Sequence, residues 1–105
     1  MDNTIQALRE LYDRIPRRHS ADNVKEIYSI IDEYETLLQT IEAVPAFEKN
    51  VAPFFDGVEN IRIAVKKSSD NKASKKQKDD IFDEASGDLK DGIESVVNLI
   101  EAKPA

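Results

Sequence analysis

Val24, Ile27, Ile31, Tyr34, Leu38 and Ile41 follow one another at steps of three and four residues. That rhythm keeps them on one face of an α-helix, where residues three and four apart are neighbours. Ile30, Leu37 and Val44 widen the stripe on one flank. The face is then broader than a two-stranded seam requires, so this helix is expected to touch two others. Ser20 or Asp22 can cap its start and Pro45 ends it, which predicts a helix over 21–44. Upstream, Ile5, Leu8, Leu11, Tyr12 and Ile15 form a shorter stripe over 4–15, capped by Asn3 or Thr4 and stopped by Pro16.

Phe47, Val51, Phe54, Val58, Ile61 and Val65 repeat the same spacing, with Pro53 inside it. If Asn50 is the N-cap, the helix covers 50–66 and Pro53 takes its third position, where a missing N–H costs nothing. The alternative is a longer helix from Phe47, kinked at Pro53. Phe82, Ala85, Leu89, Ile93, Val96 and Ile100, with Ile81 and Val97 beside them, predict a fourth helix over 79–102, closed by Lys103-Pro104. Asp79, Asp80, Asp83 and Glu84 would crowd its start, where the helix dipole favours acids. Between the last two helices, residues 67–78 (KSSDNKASKKQK) have almost no apolar content and predict a solvated, lysine-rich loop. Gly57, Gly87 and Gly92 are costs inside their helices or points of close packing. No stretch alternates with period two, so no strand is expected. The fold class predicted is all-α: one domain over 1–105, an antiparallel up-down four-helix bundle.

Composition narrows the chemistry. The 105 residues include no Cys, no Trp, one Met and one His. Disulfides, thiolate metal sites, cysteine nucleophiles and multi-histidine sites within one chain are thereby excluded. Apolar runs such as Ile30-Ile31, Leu37-Leu38 and Val96-Val97 fall far short of the ~20 residues of a membrane span. The opening MDNTIQALRELYDRI has no basic stretch leading into an apolar run, so no cleavable signal is expected and the setting expected is cytoplasmic.

The net charge of −6 argues against a nucleic-acid partner, whose phosphates attract the opposite sign. Charge is also segregated. Arg9, Arg14, Arg17 and Arg18 make residues 9–18 basic; Lys66, Lys67, Lys72, Lys75, Lys76 and Lys78 make 66–78 strongly so; seven acids dominate 79–94. The lysine block is a candidate for anionic phosphate or membrane surfaces. The plainer expectation is a solvated loop complementing its own acidic helix.

His19, in a turn behind Pro16, has no visible catalytic partners and is expected to be an exposed turn residue. Asp79–Asp83, Asp80–Glu84 and Glu84–Asp88 are i, i+4 acid pairs without the Glu-x-x-His of a di-iron bundle, and they lie off the apolar stripe. No glycine-rich phosphate loop, nucleophile elbow or HExxH is present, so no cofactor, metal or enzymatic activity is expected. Most aromatics fall on the stripes. Phe55, beside Phe54, and Tyr28 are displaced from them, and both are candidates for exposed partner-binding anchors.

Two resemblances accompany these residues. Phe55-Asp56-Gly57 near mid-chain resembles the central Trp-x-Gly turn of small secreted helical-hairpin proteins, with Phe in place of Trp. The first 45 residues resemble the small bacteriocin immunity proteins of lactic-acid bacteria. They share a short helix carrying Leu11-Tyr12, a proline-containing polar link, and a longer helix with Tyr34, Leu37 and Leu38 on its seam. That family's C-terminal part is often basic and flexible, whereas here it is acidic with a helical stripe. The resemblance implies protection of a producing cell against a pore-forming peptide at the membrane. The residues themselves predict a small non-enzymatic module that binds a protein partner through exposed helix faces. A homodimer and a peripheral membrane contact are both compatible with them.

Overall fold

The stripes become four helices, α1 (Asp2–Arg14), α2 (Ala21–Glu42), α3 (Glu48–Ser68) and α4 (Lys75–Ala102), in a computed structural model that describes residues 1–102. The stop expected at Lys103-Pro104 lies outside the described residues, which contain no strand. The helices form a rod of 47 × 22 × 18 Å. α3 and α4 share the longest contact, α2 packs on α3, and α1 packs on both α2 and α4, while α2 and α4 barely meet. The chain thus runs around the bundle in sequence order. Followed forward along α3, the facing residues of α4 fall in number. Gly92 and Asp88 lie beside Phe54, Gly57 and Asn60, and then Glu84 and Ile81 lie beside Ile63, Ala64 and Lys67.

The expected stripes supply the core. Leu8, Leu11 and Ile15; Ile27, Ile30, Ile31, Tyr34, Leu38 and Ile41; Phe47, Val51, Val58, Ile61 and Val65; and Phe82, Ala85, Leu89, Ile93, Val96, Val97 and Ile100 are all buried in one cluster. Each large side chain among them contributes roughly 1.5–3 kcal/mol by leaving water, set against the entropy of ordering the chain.

Three helix starts differ from expectation, while that of α2 does not. α1 begins at Asp2 with Met1 at its N-cap and no side-chain cap, so Asn3 and Thr4 lie inside it. Ser20 caps α2 by accepting from the Asn23 N–H at 3.1 Å. α3, by contrast, has no side-chain cap: Phe47, which is buried, occupies the N-cap, and Asn50 lies inside the helix. Burial of an aromatic at the helix start outweighs the local capping preference of Asn50. Pro53 is therefore the sixth helical residue, and the Lys49 carbonyl lacks its usual N–H donor.

The largest difference is at α4, which starts at Lys75, not Asp79, so only residues 69–74 separate it from α3. A capping box fixes this start. The Gln77 N–H donates to Ser74 Oγ at 3.1 Å, and the Ser74 N–H donates to Gln77 Oε1 at 2.8 Å. The first turn is consequently lysine-rich, and the acids expected there begin one turn later.

One polar cluster staples α2 to α3. The Arg62 guanidinium donates to Asp32 at 2.8 Å, to Glu35 at 3.1 Å and, within its own helix, to Glu59 at 2.9 Å. The hydrogen bonds to Glu35 are the main reason its pKa rises above the ordinary arginine value, against the opposing effect of partial burial. Arg14 is also raised, chiefly by its bond to Glu26, and it reaches Glu33 as well, tying α1 to α2.

The glycines separate into two kinds. A methyl group placed on Gly57 or Gly87 would meet no atom within 4 Å, whereas on Gly92 it would sit 3.2 Å from the Tyr34 hydroxyl. Gly57→Ala and Gly87→Ala are each expected to stabilise the chain by up to about 1 kcal/mol through helix propensity alone, as a higher urea midpoint with unchanged slope. A lowered midpoint would mean that these positions are close-packing points after all.

Candidate functional site

The two aromatic anchor candidates are not free. Phe55 and Tyr28 are half-buried and pack against the core. Helix geometry gives the reason. Phe55 lies four residues after Val51 and three before Val58, and Tyr28 four after Val24 and three before Ile31. A residue at those offsets flanks the stripe and does not oppose it. The large exposed hydrophobic among the helical residues is instead Ile63, 52 % exposed. It stands two residues from Ile61 and from Val65, about 200° around the helix from both. Its own neighbours along α3, Glu59, Asn60, Lys66 and Lys67, are all polar. Those offsets could have revealed it from the sequence.

Ile63 lies in a shallow groove of about 360 Å³ between α3 and α4, walled by Asn60, Ala64, Lys67, Ile81, Glu84 and Asp88. Asp80, Glu84, Asp88 and Asp91 run along α4 at steps of four, four and three, so one edge of this face is a row of carboxylates. All four are exposed, and none makes an ion pair with a described residue. The lysine block does not neutralise them: none of its six ammonium groups lies within 4 Å of a carboxylate among the described residues.

The lysines themselves are drawn to one end of the rod. Lys66 and Lys67 close α3, Lys72 sits in the turn, and Lys75, Lys76 and Lys78 open α4. They are thus mostly helical and not part of a long loop. Phe55 does not join them as one site, since it is eleven residues, or about 16 Å of helix, from Lys66.

His19 is not the exposed turn residue expected. Its ring meets Phe82 edge-on with centroids 5.8 Å apart, and its Nε2 is buried without a hydrogen-bond partner. Ser86 Oγ donates to the Pro16 carbonyl at 2.8 Å nearby. The link after α1 is therefore fastened onto α4, a long-range contact that no local pattern announces.

A second crevice crosses α3 and α4 between Gly57 and Gly92, with Pro53, Phe54, Asn60 and Asp88 around it and Tyr34 as its floor. The Tyr34 hydroxyl makes no hydrogen bond to a described residue, and burial alone pushes its pKa well above the ordinary phenol value. At about 200 Å³ the crevice is smaller than most small-molecule sites. Among the described residues no three His, Asp or Glu side chains converge where a metal ion could be held. No helix among them is long and apolar enough to cross a membrane.

No protein-family model matches the chain, and no curated protein or solved structure was found similar to it. The function must therefore be argued from these surfaces.

Proposed function

We propose that the chain is a small non-enzymatic interaction module and that its outer α3–α4 face is the working surface. The observation that carries this is Ile63, an aliphatic side chain half out in water beside an unpaired row of acids. The fold does not need it there: it adds nothing to the core, and its exposure has a solvation cost. A singly exposed aliphatic side chain is common, but here Ile63 shares its groove with the half-buried Ala64 and Ile81, and an apolar centre with a polar rim is the anatomy of an interface. Charge complementarity selects the partner class, a protein segment that brings an apolar side chain to the groove and Lys or Arg to Glu84 and Asp88.

Selection of peptides from a random display library on the immobilised chain tests this. The expected winners combine an aliphatic or aromatic residue with basic neighbours. Ile63→Asp should weaken them roughly tenfold or more, as loss of a central anchor does. Glu84→Gln with Asp88→Gln should weaken them less and flatten their salt dependence, and Phe55→Ala should leave them nearly unchanged. Winners without basic residues, or binding indifferent to Ile63→Asp, would refute the assignment.

A further inference from the structure

We infer that the basic end of the rod is a second, independent surface that docks onto anionic lipid headgroups with the long axis of the molecule standing away from the membrane. Two stretches far apart in sequence build this end. The His19–Phe82 and Pro16–Ser86 contacts hold the α1–α2 link against the second to fourth turns of α4, about 10–16 Å of helix from Lys75, which places Arg17 and Arg18 on the same half of the rod as the α3–α4 turn. Residues 16–23 and 65–80 together hold eight cations (Arg17, Arg18, Lys66, Lys67, Lys72, Lys75, Lys76, Lys78) against four acids (Asp22, Asp70, Asp79, Asp80). This end carries +4 on a chain whose total is −6, so the remainder of the chain carries −10.

The fold does not account for these charges. Cations in the last turn of α3 suit its dipole, but Lys75, Lys76 and Lys78 open α4, where the dipole penalises them. None of the eight makes an ion pair with a described carboxylate, which would otherwise explain their placement.

The form of the surface favours lipid headgroups over nucleic acid. The end is about 22 × 18 Å across, with a broad, shallow depression edged by Lys67, Asp70, Lys72 and Gln77, and Phe82 beneath it is turned into the core. Among the described residues no aromatic ring is fully exposed for base stacking, and single strands are gripped largely by such rings. Flexible lysines spread over a broad end match a fluid sheet of separate phosphates, towards which each cation contributes additively. The strongly negative remainder is repelled by the same sheet, so only the end-on approach is attractive.

Co-sedimentation with phosphatidylcholine vesicles, with and without phosphatidylserine as a minor component, tests the inference. Binding is expected only with phosphatidylserine and is expected to fall steeply as salt is raised. Arg17→Gln with Arg18→Gln, outside the lysine block, should weaken it about 30-fold, as two lost cations do. Neutralising all six lysines should abolish it, while Lys49→Gln at the opposite end should leave it unchanged. Circular dichroism confirms that each variant is folded. Equal binding to both vesicle types, no binding to either, indifference to the Arg17 and Arg18 changes, or tighter binding to a single-stranded oligonucleotide than to the vesicles would each overturn it. None of these outcomes depends on Ile63, so the two surfaces stand or fall separately.

Discussion

Phe82→Ala is expected to cost about 3–5 kcal/mol, the usual range for deleting a fully buried aromatic. For a chain of this size that corresponds to a fall in Tm of roughly 15–30 °C. Phe82 is 0 % exposed and is among the largest side chains in the core. It also has a second task. The His19 ring leans edge-on against it, and that contact, together with the Ser86–Pro16 hydrogen bond, fixes the link between α1 and α2. α1 is only 13 residues long against 28 for α4, so it depends heavily on how its end is tied down. Truncation would leave a cavity and would also let water reach His19 Nε2, freeing the link. Chemical denaturation should therefore show the loss in midpoint. Native-state hydrogen exchange should show α1 and the link losing protection before α3 does. Phe55→Ala, at a half-buried flank, should cost clearly less. A loss below about 1 kcal/mol for Phe82→Ala would contradict the packing described, since a buried ring cannot be removed so cheaply.

The core was legible because it depends on helical spacing. Phe82, Leu89 and Ile93 follow the same rule as Ile27, Ile31 and Leu38, and each of these is buried. The start of α4 was hidden because hydrophobic periodicity cannot mark a turn that has no apolar residue. Ser74-Lys75-Lys76-Gln77 carries the capping-box pattern, which is local and could have been found. His19 could not have been placed: the ring it meets, Phe82, is more than sixty residues away, and only the closed bundle brings them together. The candidate surfaces were legible in part. The lysines could be counted in the sequence, but their union with Arg17 and Arg18 is tertiary. Phe55 and Tyr28 were misjudged because one position off a stripe is about 100° around a helix and remains on its flank, whereas the two-position offset of Ile63 carries it to the far side.

That same distinction between local and tertiary control decides the sign of the second large effect. Gly92→Ala should destabilise the chain even though Gly→Ala inside a helix ordinarily gains about 1 kcal/mol. The added methyl would lie 3.2 Å from the Tyr34 hydroxyl, and Tyr34 is 1 % exposed, so its ring has little room to give way. In the Tyr34→Phe background the oxygen is gone, and the next atom, Cζ, stands at an ordinary 3.9 Å. Gly92→Ala should there become stabilising. The double-mutant cycle should report a coupling of about 1–3 kcal/mol, the size of an overpacking penalty. Tyr34→Phe alone should cost little, because the hydroxyl it removes makes no hydrogen bond to a described residue.

The hydroxyl should also be visible in alkaline stability. Burial raises the Tyr34 pKa, so the folded chain holds this proton at pH values where the unfolded chain has released it. The associated stability is complete below the ordinary phenol pKa of about 10 and is lost as pH rises beyond it. Tyr34→Phe should flatten that decline relative to the parent chain. If instead the cycle is additive and both chains lose stability in parallel above that pH, Tyr34 does not reach Gly92 in solution, and the close approach of α4 to α2 at this level is wrong.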